Sequence, residues 1–216
     1  MLLRYMPPET PTPVVIAAIL GTLFPDAASA VDLTPGRHGF WSERVPTNVT
    51  VTFCEHDFCA LPYADQAFDV AVFDPPHLAD AGAKSIMGTR FGTYRNGVLE
   101  ATVRRGCREA WRVSRLGAIV KVTDHVHGRR FVRMSGWGMD ELGEPFEVVH
   151  HTRSKPLVDP RWRGQLSAYN NGSTFLIWRR DGPLHVSRRP HIGAVNDHPH
   201  SEHKPPHHTP SSFGVV

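Results

Sequence analysis

The chain contains 216 residues, 40% of them hydrophobic, and has a formal net charge of +3 at pH 7. A chain of this length can bury one sizeable core, so we expect one folded domain. The three cysteines (Cys54, Cys59 and Cys107) are odd in number and lack the spacing of metal ligands. We therefore expect no metal site, and the cysteines are typical of reduced thiols in a cytoplasmic protein.

Charge is distributed unevenly along the chain. Residues 1–83 contain three basic and ten acidic residues, whereas residues 84–133 contain twelve basic and three acidic residues. Such asymmetry is typical of a protein with one rim that meets a polyanion. A solvated, arginine-rich face would produce the same pattern, and both interpretations stay open at this point.

The N-terminal apolar run, residues 14–24, imitates a secretory signal. However, Glu9 and four prolines precede the run, and cleavage after Ala30 would cut into a predicted strand. The run is also too short to span a bilayer. We therefore predict a helix over residues 13–24 that packs on a sheet, and no membrane partner.

Residues 29–33 predict the first strand, which carries Asp32 and leads into Thr34-Pro35-Gly36-Arg37-His38-Gly39. A strand, an acidic residue and a glycine-containing turn are typical of a nucleotide-binding loop. Glycine lets the backbone approach a ligand, and a helix start offers free N–H donors. By itself, a two-glycine turn is more often a plain helix cap.

The second strand is predicted over residues 48–53, because valine and phenylalanine alternate with threonine there. Two acidic residues, Glu55 and Asp57, follow its end. Glu55 lies 23 positions after Asp32, about where nucleotide-binding α/β folds place the acid that binds a ribose. Asp57 is the other candidate.

Residues 68–73 predict a buried central strand of a parallel sheet, followed by Asp74-Pro75-Pro76-His77. The prolines cannot continue the strand, and they stiffen the backbone as it leaves the sheet. Asp74 is therefore expected at the carboxyl end of a strand, where open α/β sheets bind their ligands. A plain strand-to-loop turn is the alternative.

The rest of the chain predicts a mobile loop over residues 78–97, with Arg90, Tyr94 and Arg95 as contacts to a partner. Further elements are a helix (98–113), a turn (115–117), a strand (118–122), a helix (129–139) and two strands in a hairpin (146–151 and 173–179). Half of the 14 histidines lie beyond residue 184, among proline and serine. We expect residues 184–216 to form a disordered tail and residues 1–183 to form the domain.

Taken in order, these motifs resemble a known family. The motifs are Asp32-x-Thr34-Pro35-Gly36-x-x-Gly39, the acid pair Glu55 and Asp57, Leu61-Pro62, and Phe73-Asp74-Pro75-Pro76-His77. Over residues 28–180 the chain resembles S-adenosylmethionine-dependent amino-methyltransferases of nucleic acids, whose signature is Asp/Asn-Pro-Pro-Tyr/Phe/Trp. Its layout is most similar to N6-adenine and N4-cytosine DNA enzymes. The resemblance implies an α/β class I Rossmann-like fold: a mostly parallel sheet, helices on both faces and a C-terminal antiparallel hairpin.

The resemblance also implies roles for individual residues. The first loop would hold the methionine part of S-adenosylmethionine through Asp32, Thr34, Gly36 and Gly39. Glu55 would bind its ribose, or Asp57 its adenine. Asp74 would accept a hydrogen bond from an exocyclic amino group, and the Pro75 carbonyl, fixed by Pro76, would accept a second. His77 would stack on the target base.

Three features depart from the family pattern. His77 replaces the usual aromatic residue, His38 replaces a glycine of the loop, and residues 41–57 have room for only one strand. The implied partner is nucleic acid, DNA more than RNA. An RNA, amine or amide substrate and a non-catalytic relic of the fold are the alternatives. A Walker-type phosphate loop and a Ser-His-Asp spacing are absent from the sequence.

Overall fold

The computed structural model describes residues 7, 10–36, 41, 48–77, 96–127, 129–152 and 172–180. They all belong to one unit, Met1–Val186, and the second unit, Ser187–Val216, lies outside them. The predicted tail and nearly all of the predicted loop over residues 78–97 also lie outside the described residues. The helices are α1 (Thr12–Leu23), α2 (Asn96–Val113) and α3 (Met134–Leu142). The strands are β1 (Ser29–Asp32), β2 (Thr50–Phe53), β3 (Phe68–Phe73), β4 (Ser114–Val122), β5 (His125–His127), β6 (Arg130–Val132), β7 (Glu147–Thr152) and β8 (Gly172–Arg179).

Six strands form one sheet in the order β2-β1-β3-β4-β8-β7. Strands β2, β1, β3 and β4 are parallel, whereas β8 is antiparallel to both of its neighbours. Because β7 pairs antiparallel with β8, it runs in the same direction as β4. The carboxyl ends of β1, β2, β3, β4 and β7 therefore lie at one edge of the sheet. Strands β5 and β6 form a separate antiparallel pair.

Alternate strand residues are buried on opposite faces of the sheet, as the period-two geometry of strands requires. One face packs against α1, whose Val15, Ile16, Ile19 and Leu20 are buried with Val70 and Val72 of β3 and Ile119 of β4. The other face packs against α2 and α3, and there Ala71 and Phe73 of β3 contact the apolar face of α2. Both faces are covered, which explains why β3 reads as a continuous apolar run.

The structure confirms the predicted fold class. The sheet is mostly parallel, helices lie on both faces, and β7 and β8 form the expected C-terminal antiparallel pair. The helix expected at residues 13–24 is α1, and the buried central strand expected at residues 68–73 is β3.

Two predicted elements differ from the structure. The turn expected at residues 115–117 is wrong, because β4 begins at Ser114 directly after α2 ends. A Cβ atom at Gly117 would lie 2.1 Å from the Trp178 carbonyl oxygen, so this glycine allows close strand pairing. The helix expected at residues 129–139 begins later, at Met134, because β6 occupies Arg130–Val132.

Candidate active site

Three neighbouring strands carry charged side chains at the same edge of the sheet. Two of the strands contribute a carboxylate each, and the third contributes an ammonium group. Asp32 is the last residue of β1, Asp74 directly follows β3, and Lys121 lies near the end of β4. The register of the parallel pair places Phe73 opposite Val120, so the next residues along, Asp74 and Lys121, are neighbours across the two strands. This edge is the one where open α/β sheets bind ligands.

Asp32 holds the turn that follows β1. Its side chain is fully buried, and its oxygens accept hydrogen bonds from the Thr34 backbone N–H at 2.9 Å and the Trp41 indole N–H at 2.7 Å. Gly36, two residues after Thr34, has φ +51°, a left-handed conformation that glycine adopts without strain. Asp32 therefore shapes the predicted cofactor loop from inside, and its contact with a cofactor stays a prediction.

Thr34 links this turn to the tip of β3. The Asp74 backbone N–H donates to the Thr34 hydroxyl oxygen at 2.9 Å, and the Leu33 backbone N–H donates to the Val72 carbonyl at 2.9 Å. The backbone of Asp74 is thus fixed by the loop that the sequence assigns to the cofactor. Two sites predicted separately are connected by hydrogen bonds.

The Asp74 carboxylate is bound by two cationic or polar side chains. The Lys121 ammonium group donates to both carboxylate oxygens at 3.0 and 3.1 Å, and His77 Nε2 lies 2.9 Å from Oδ1. Lys121 is only 4% exposed, and Asp74 and His77 are each 22% exposed. Burial of Asp74 disfavours its charged form, but His77 and Lys121 outweigh this effect, so the pKa of Asp74 lies below its ordinary value. Asp74 is therefore a carboxylate at neutral pH.

Sequence reasoning missed Lys121. The signal was present, because a lysine within the apolar run Ala118 to Val122 is costly to bury without a partner. Lys121 lies two residues after Ile119 in β4, so both side chains lie on the same face of the sheet. Asp32 and Asp74 lie on this face too.

His77 lies beside Asp74 as the sequence predicts, but the Nε2 edge of its ring contacts the carboxylate. Its other ring nitrogen, Nδ1, is buried and has no hydrogen-bond partner among the described residues. Pro75 is buried, and Pro76 is partly buried. The two prolines and the carboxylate together fix where the imidazole lies.

Glu55 and Asp57 follow the end of β2 at the same edge of the sheet. The Cys54 backbone N–H donates to the Asp32 carbonyl at 2.9 Å, which keeps the end of β2 beside the end of β1. Both acids are exposed, and one Asp57 oxygen accepts a hydrogen bond from the Cys59 backbone N–H at 2.9 Å. Exposed carboxylates accept hydrogen bonds from hydroxyl and amino groups, and contacts of Glu55 and Asp57 with a cofactor stay predictions.

Four predicted site residues lie outside the described part of the chain. They are Gly39 in the first loop, and Arg90, Tyr94 and Arg95 in the predicted substrate loop. His38 lies outside it too. Their predicted roles stay predictions.

Three arginines on α2 form ion pairs within the protein. Arg104 pairs with Glu100 at 2.8 Å and Asp140 at 2.9 Å, and Arg112 pairs with Asp65 at 2.8 Å. Arg108 pairs with Glu141 of α3. These ion pairs favour a structural role for the basic face of α2 over a role in binding a polyanion.

A cavity of about 250 Å³ opens at the tips of β4, β7 and β8. It lies at the same edge of the sheet as Asp74, because Thr152 ends β7 and Gly172 begins the antiparallel β8. Its lining offers a carboxylate, imidazoles, hydroxyls and an aromatic ring: Asp124, Phe131, His150, His151, Thr152, Gly172, Ser173 and Thr174. Sequence reasoning placed substrate contacts in the loop over residues 78–97 and did not single out these side chains.

No protein-family model and no curated protein matches the sequence. Among solved structures, the chain is similar to a geranyl diphosphate methyltransferase in complex with SAM (12% identity, 78% of this chain, 85% of that chain, TM-score 0.45). It is also similar to a SAM-dependent methyltransferase from Methanosarcina mazei (10% identity, 74% of this chain, 96% of that chain, TM-score 0.41). A third similar structure is the hMettl16 catalytic domain in complex with MAT2A 3'UTR hairpin 6 (9% identity, 82% of this chain, 73% of that chain, TM-score 0.43).

None of the helices in the described ranges combines the length and apolar character needed to cross a membrane.

Proposed function

We propose that this protein transfers a methyl group from S-adenosylmethionine to an exocyclic amino nitrogen of a nucleic-acid base, DNA more than RNA. The observation that carries the proposal is the hydrogen-bonded connection between the turn after β1 and Asp74. It runs from Asp32 through Thr34 to the Asp74 backbone, and the Asp74 side chain continues it to Lys121 and His77. A donor loop and an acceptor carboxylate so connected are suited to a transfer that depends on positioning.

The donor would lie at the tips of β1 and β2. The left-handed Gly36 lets the backbone come close to a ligand without a side chain in between. The exposed Glu55 and Asp57 carboxylates offer acceptors for ribose hydroxyls and for the adenine amino group. Thr34 and Asp32 would keep this turn in place.

The acceptor amino group would bind at Asp74. A carboxylate has about four acceptor positions; Lys121 uses one on each oxygen, and His77 uses another on Oδ1. Among the described residues nothing uses the remaining position on Oδ2, which would accept a substrate N–H, and the Pro75 carbonyl would accept the second N–H. Two such bonds orient the amino nitrogen and raise its electron density.

A second candidate keeps this chemistry but uses a small amine or amide as the substrate. The ion-paired arginines of α2 favour it, because Arg104, Arg108 and Arg112 are already engaged within the protein. His77 favours it too, because an imidazole held by a carboxylate is a poorer stacking surface for a base than tyrosine.

The test is transfer of labelled methyl groups from S-adenosylmethionine to unmodified DNA, to RNA and to simple amines. Asp74→Asn keeps the size of the side chain and removes its charge, so we expect a rate loss of about 100-fold or more. Affinity for S-adenosylmethionine, measured by calorimetry, should change little. Asp140→Asn is the matched control, because Asp140 is a carboxylate in an exposed ion pair on α3.

Unchanged transfer in Asp74→Asn would overturn the assignment of Asp74. Folded wild-type protein that does not bind S-adenosylmethionine would favour the non-catalytic relic. Binding of the donor with transfer only to amines would select the second candidate.

A further inference from the structure

We propose that His77 is a catalytic base that removes a proton from the newly methylated nitrogen, with its tautomer set by Asp74 and Lys121. This inference rests on the proposed methyl transfer and assigns His77 a role other than base stacking. The residues that carry it are in contact: Lys121 with Asp74, and Asp74 with His77.

The Asp74 carboxylate decides which ring nitrogen of His77 carries the hydrogen. An ionised carboxylate only accepts hydrogen bonds, so the ring nitrogen 2.9 Å from Oδ1, Nε2, is the donor. In the neutral imidazole, Nδ1 then carries the lone pair. A carboxylate behind a histidine has this orienting role in other acid–base sites.

Lys121 keeps Asp74 from taking the proton itself. Its ammonium group contacts both carboxylate oxygens from an almost fully buried position. This ion pair stabilises the carboxylate form and holds its plane fixed. Of the three side chains Lys121, Asp74 and His77, the imidazole of His77 is therefore the one that accepts the proton.

The ring nitrogen of His77 that does not contact Asp74 lacks a hydrogen-bond partner in the described part of the chain. A substrate could supply one. Nδ1 is buried and forms no hydrogen bond within the described ranges. Buried polar atoms in folded proteins are nearly always hydrogen-bonded, and the rare exceptions occur at functional sites. Methyl transfer makes the planar amino nitrogen tetrahedral, and the N–H that the Pro75 carbonyl held before transfer would then donate to Nδ1.

The proposed step balances as follows. The amino nitrogen forms a bond to the methyl carbon as the carbon–sulfur bond of the sulfonium donor breaks, and the electron pair of that bond stays on sulfur. The nitrogen now carries the positive charge, and the hydrogen that the Pro75 carbonyl held leaves as a proton to His77 Nδ1, while the other hydrogen stays on the nitrogen. The products are a neutral methylamino group, a neutral thioether and an imidazolium ion beside the Asp74 carboxylate.

Substitutions at His77 separate this role from stacking. His77→Gln keeps a donor for Asp74 but has no basic nitrogen, whereas His77→Tyr supplies a larger stacking ring and also no base. We expect both variants to lower kcat by about 100-fold to 10,000-fold, the range for loss of a general base. Their calorimetric affinity for S-adenosylmethionine should stay within about threefold of wild type, which a general collapse of the site would not allow.

A His77→Tyr variant that transfers methyl groups as fast as wild type or faster would overturn the proposal in favour of stacking. A His77→Gln variant with the kcat of wild type would overturn it as well and would leave the proposed methyl transfer intact. Wild-type protein without transfer activity would instead overturn the proposed function, and this inference with it.

The tautomer provides a test that does not depend on activity. In ¹⁵N-histidine-labelled wild-type protein, the signals that disappear in His77→Gln should show a protonated Nε2 and an unprotonated Nδ1. The opposite tautomer would overturn the proposal. In Lys121→Met the preference should weaken, because the carboxylate that sets it is no longer held in place.

Discussion

At the scale of single residues, Lys121 and Asp74 depend on each other. Each is a charged group in a mostly buried position, and such groups are tolerated when they are paired and hydrogen-bonded. Removal of one partner from a buried pair leaves the other charge uncompensated. The cost of an unpaired lysine explains why a single charged residue occurs within an apolar strand.

We predict that Lys121→Met destabilises the protein by about 3 kcal/mol, measured as the free energy of unfolding in urea. In this variant only His77 would counteract the effect of burial, which disfavours the charged form of Asp74. The pKa of Asp74 should therefore rise, and methyl transfer should slow. Lys121→Arg keeps the charge and serves as the control for electrostatics. A Lys121→Met protein with wild-type stability and transfer rate would contradict the role we assign to the pair.

The sequence predicted the position of Asp74 but not its environment. A short apolar run followed by Asp-Pro-Pro is local information, and it placed the carboxylate at the tip of β3 correctly. The partners Thr34 and Lys121 lie 40 and 47 positions away, and their contacts depend on the register of neighbouring strands. Such a register depends on how the whole sheet pairs, which the local pattern does not specify.

At the scale of elements, α2 lies unusually close to β3 at one point. A Cβ atom on Gly106 would lie 2.2 Å from the ring of Phe73, which is fully buried. Glycine is a poor helix former, so its presence here reflects the space that Phe73 occupies. Phe73 directly precedes Asp74, so this contact also supports the candidate site.

We predict that Gly106→Ala destabilises the protein by about 1–3 kcal/mol, although alanine favours helices elsewhere. The added methyl group would push the Phe73 ring and weaken activity through the neighbouring Asp74. Gly97→Ala is the matched control, because a Cβ atom on Gly97, in the same helix, meets nothing within 4 Å. Urea unfolding of both variants checks this, and a more stable Gly106→Ala protein would be inconsistent with the packing described.

The elements themselves were partly predictable. Alternation of apolar residues predicted β2, a short continuous apolar run predicted β3, and helical spacing predicted α2, because these patterns are local and strong. The β7–β8 pair was predicted as well. The junction at Ser114 was missed, since the turn residues Arg115 and Gly117 lie within β4. The start of α3 was also missed, because it depends on Asp124, whose carboxylate accepts hydrogen bonds from the Ser135 backbone N–H and hydroxyl at 2.8 and 2.7 Å.

At the scale of the whole molecule, the Asp69 side chain connects β3 to the start of β1 and to β4. Its carboxylate accepts hydrogen bonds from the Ala28 and Ser29 backbone N–H groups at 2.8 and 3.1 Å, and from Arg115 at 2.7 Å. Burial raises the pKa of Asp69, but these hydrogen bonds outweigh burial and hold the pKa below its ordinary value. Ionised Asp69 therefore stabilises the folded state.

This stabilisation has a defined pH dependence. Because the pKa of Asp69 is lower in the folded than in the unfolded state, the contribution is complete above the unfolded value of about 4. It is lost as the pH falls through the folded pKa. We predict that Asp69→Asn lowers the free energy of unfolding by about 2–4 kcal/mol at pH 7 and by much less near pH 3.

The control is Asp26→Asn, since Asp26 is exposed at the turn after α1. Urea unfolding between pH 3 and pH 7 measures both variants. A stability difference between Asp69→Asn and wild type that stays constant over this range would show that the charge of Asp69 does not contribute.

The central claim is that the tips of β1 and β2 bind a sulfonium nucleoside, and calorimetry with S-adenosylmethionine tests it most directly. Wild-type protein should bind one molecule per chain, and Glu55→Lys should weaken the affinity by about tenfold or more. Asp26→Lys makes the same charge change at the opposite edge of the sheet and should leave the affinity unchanged. Absence of binding by folded wild-type protein, or equal affinity in Glu55→Lys, would contradict the claim.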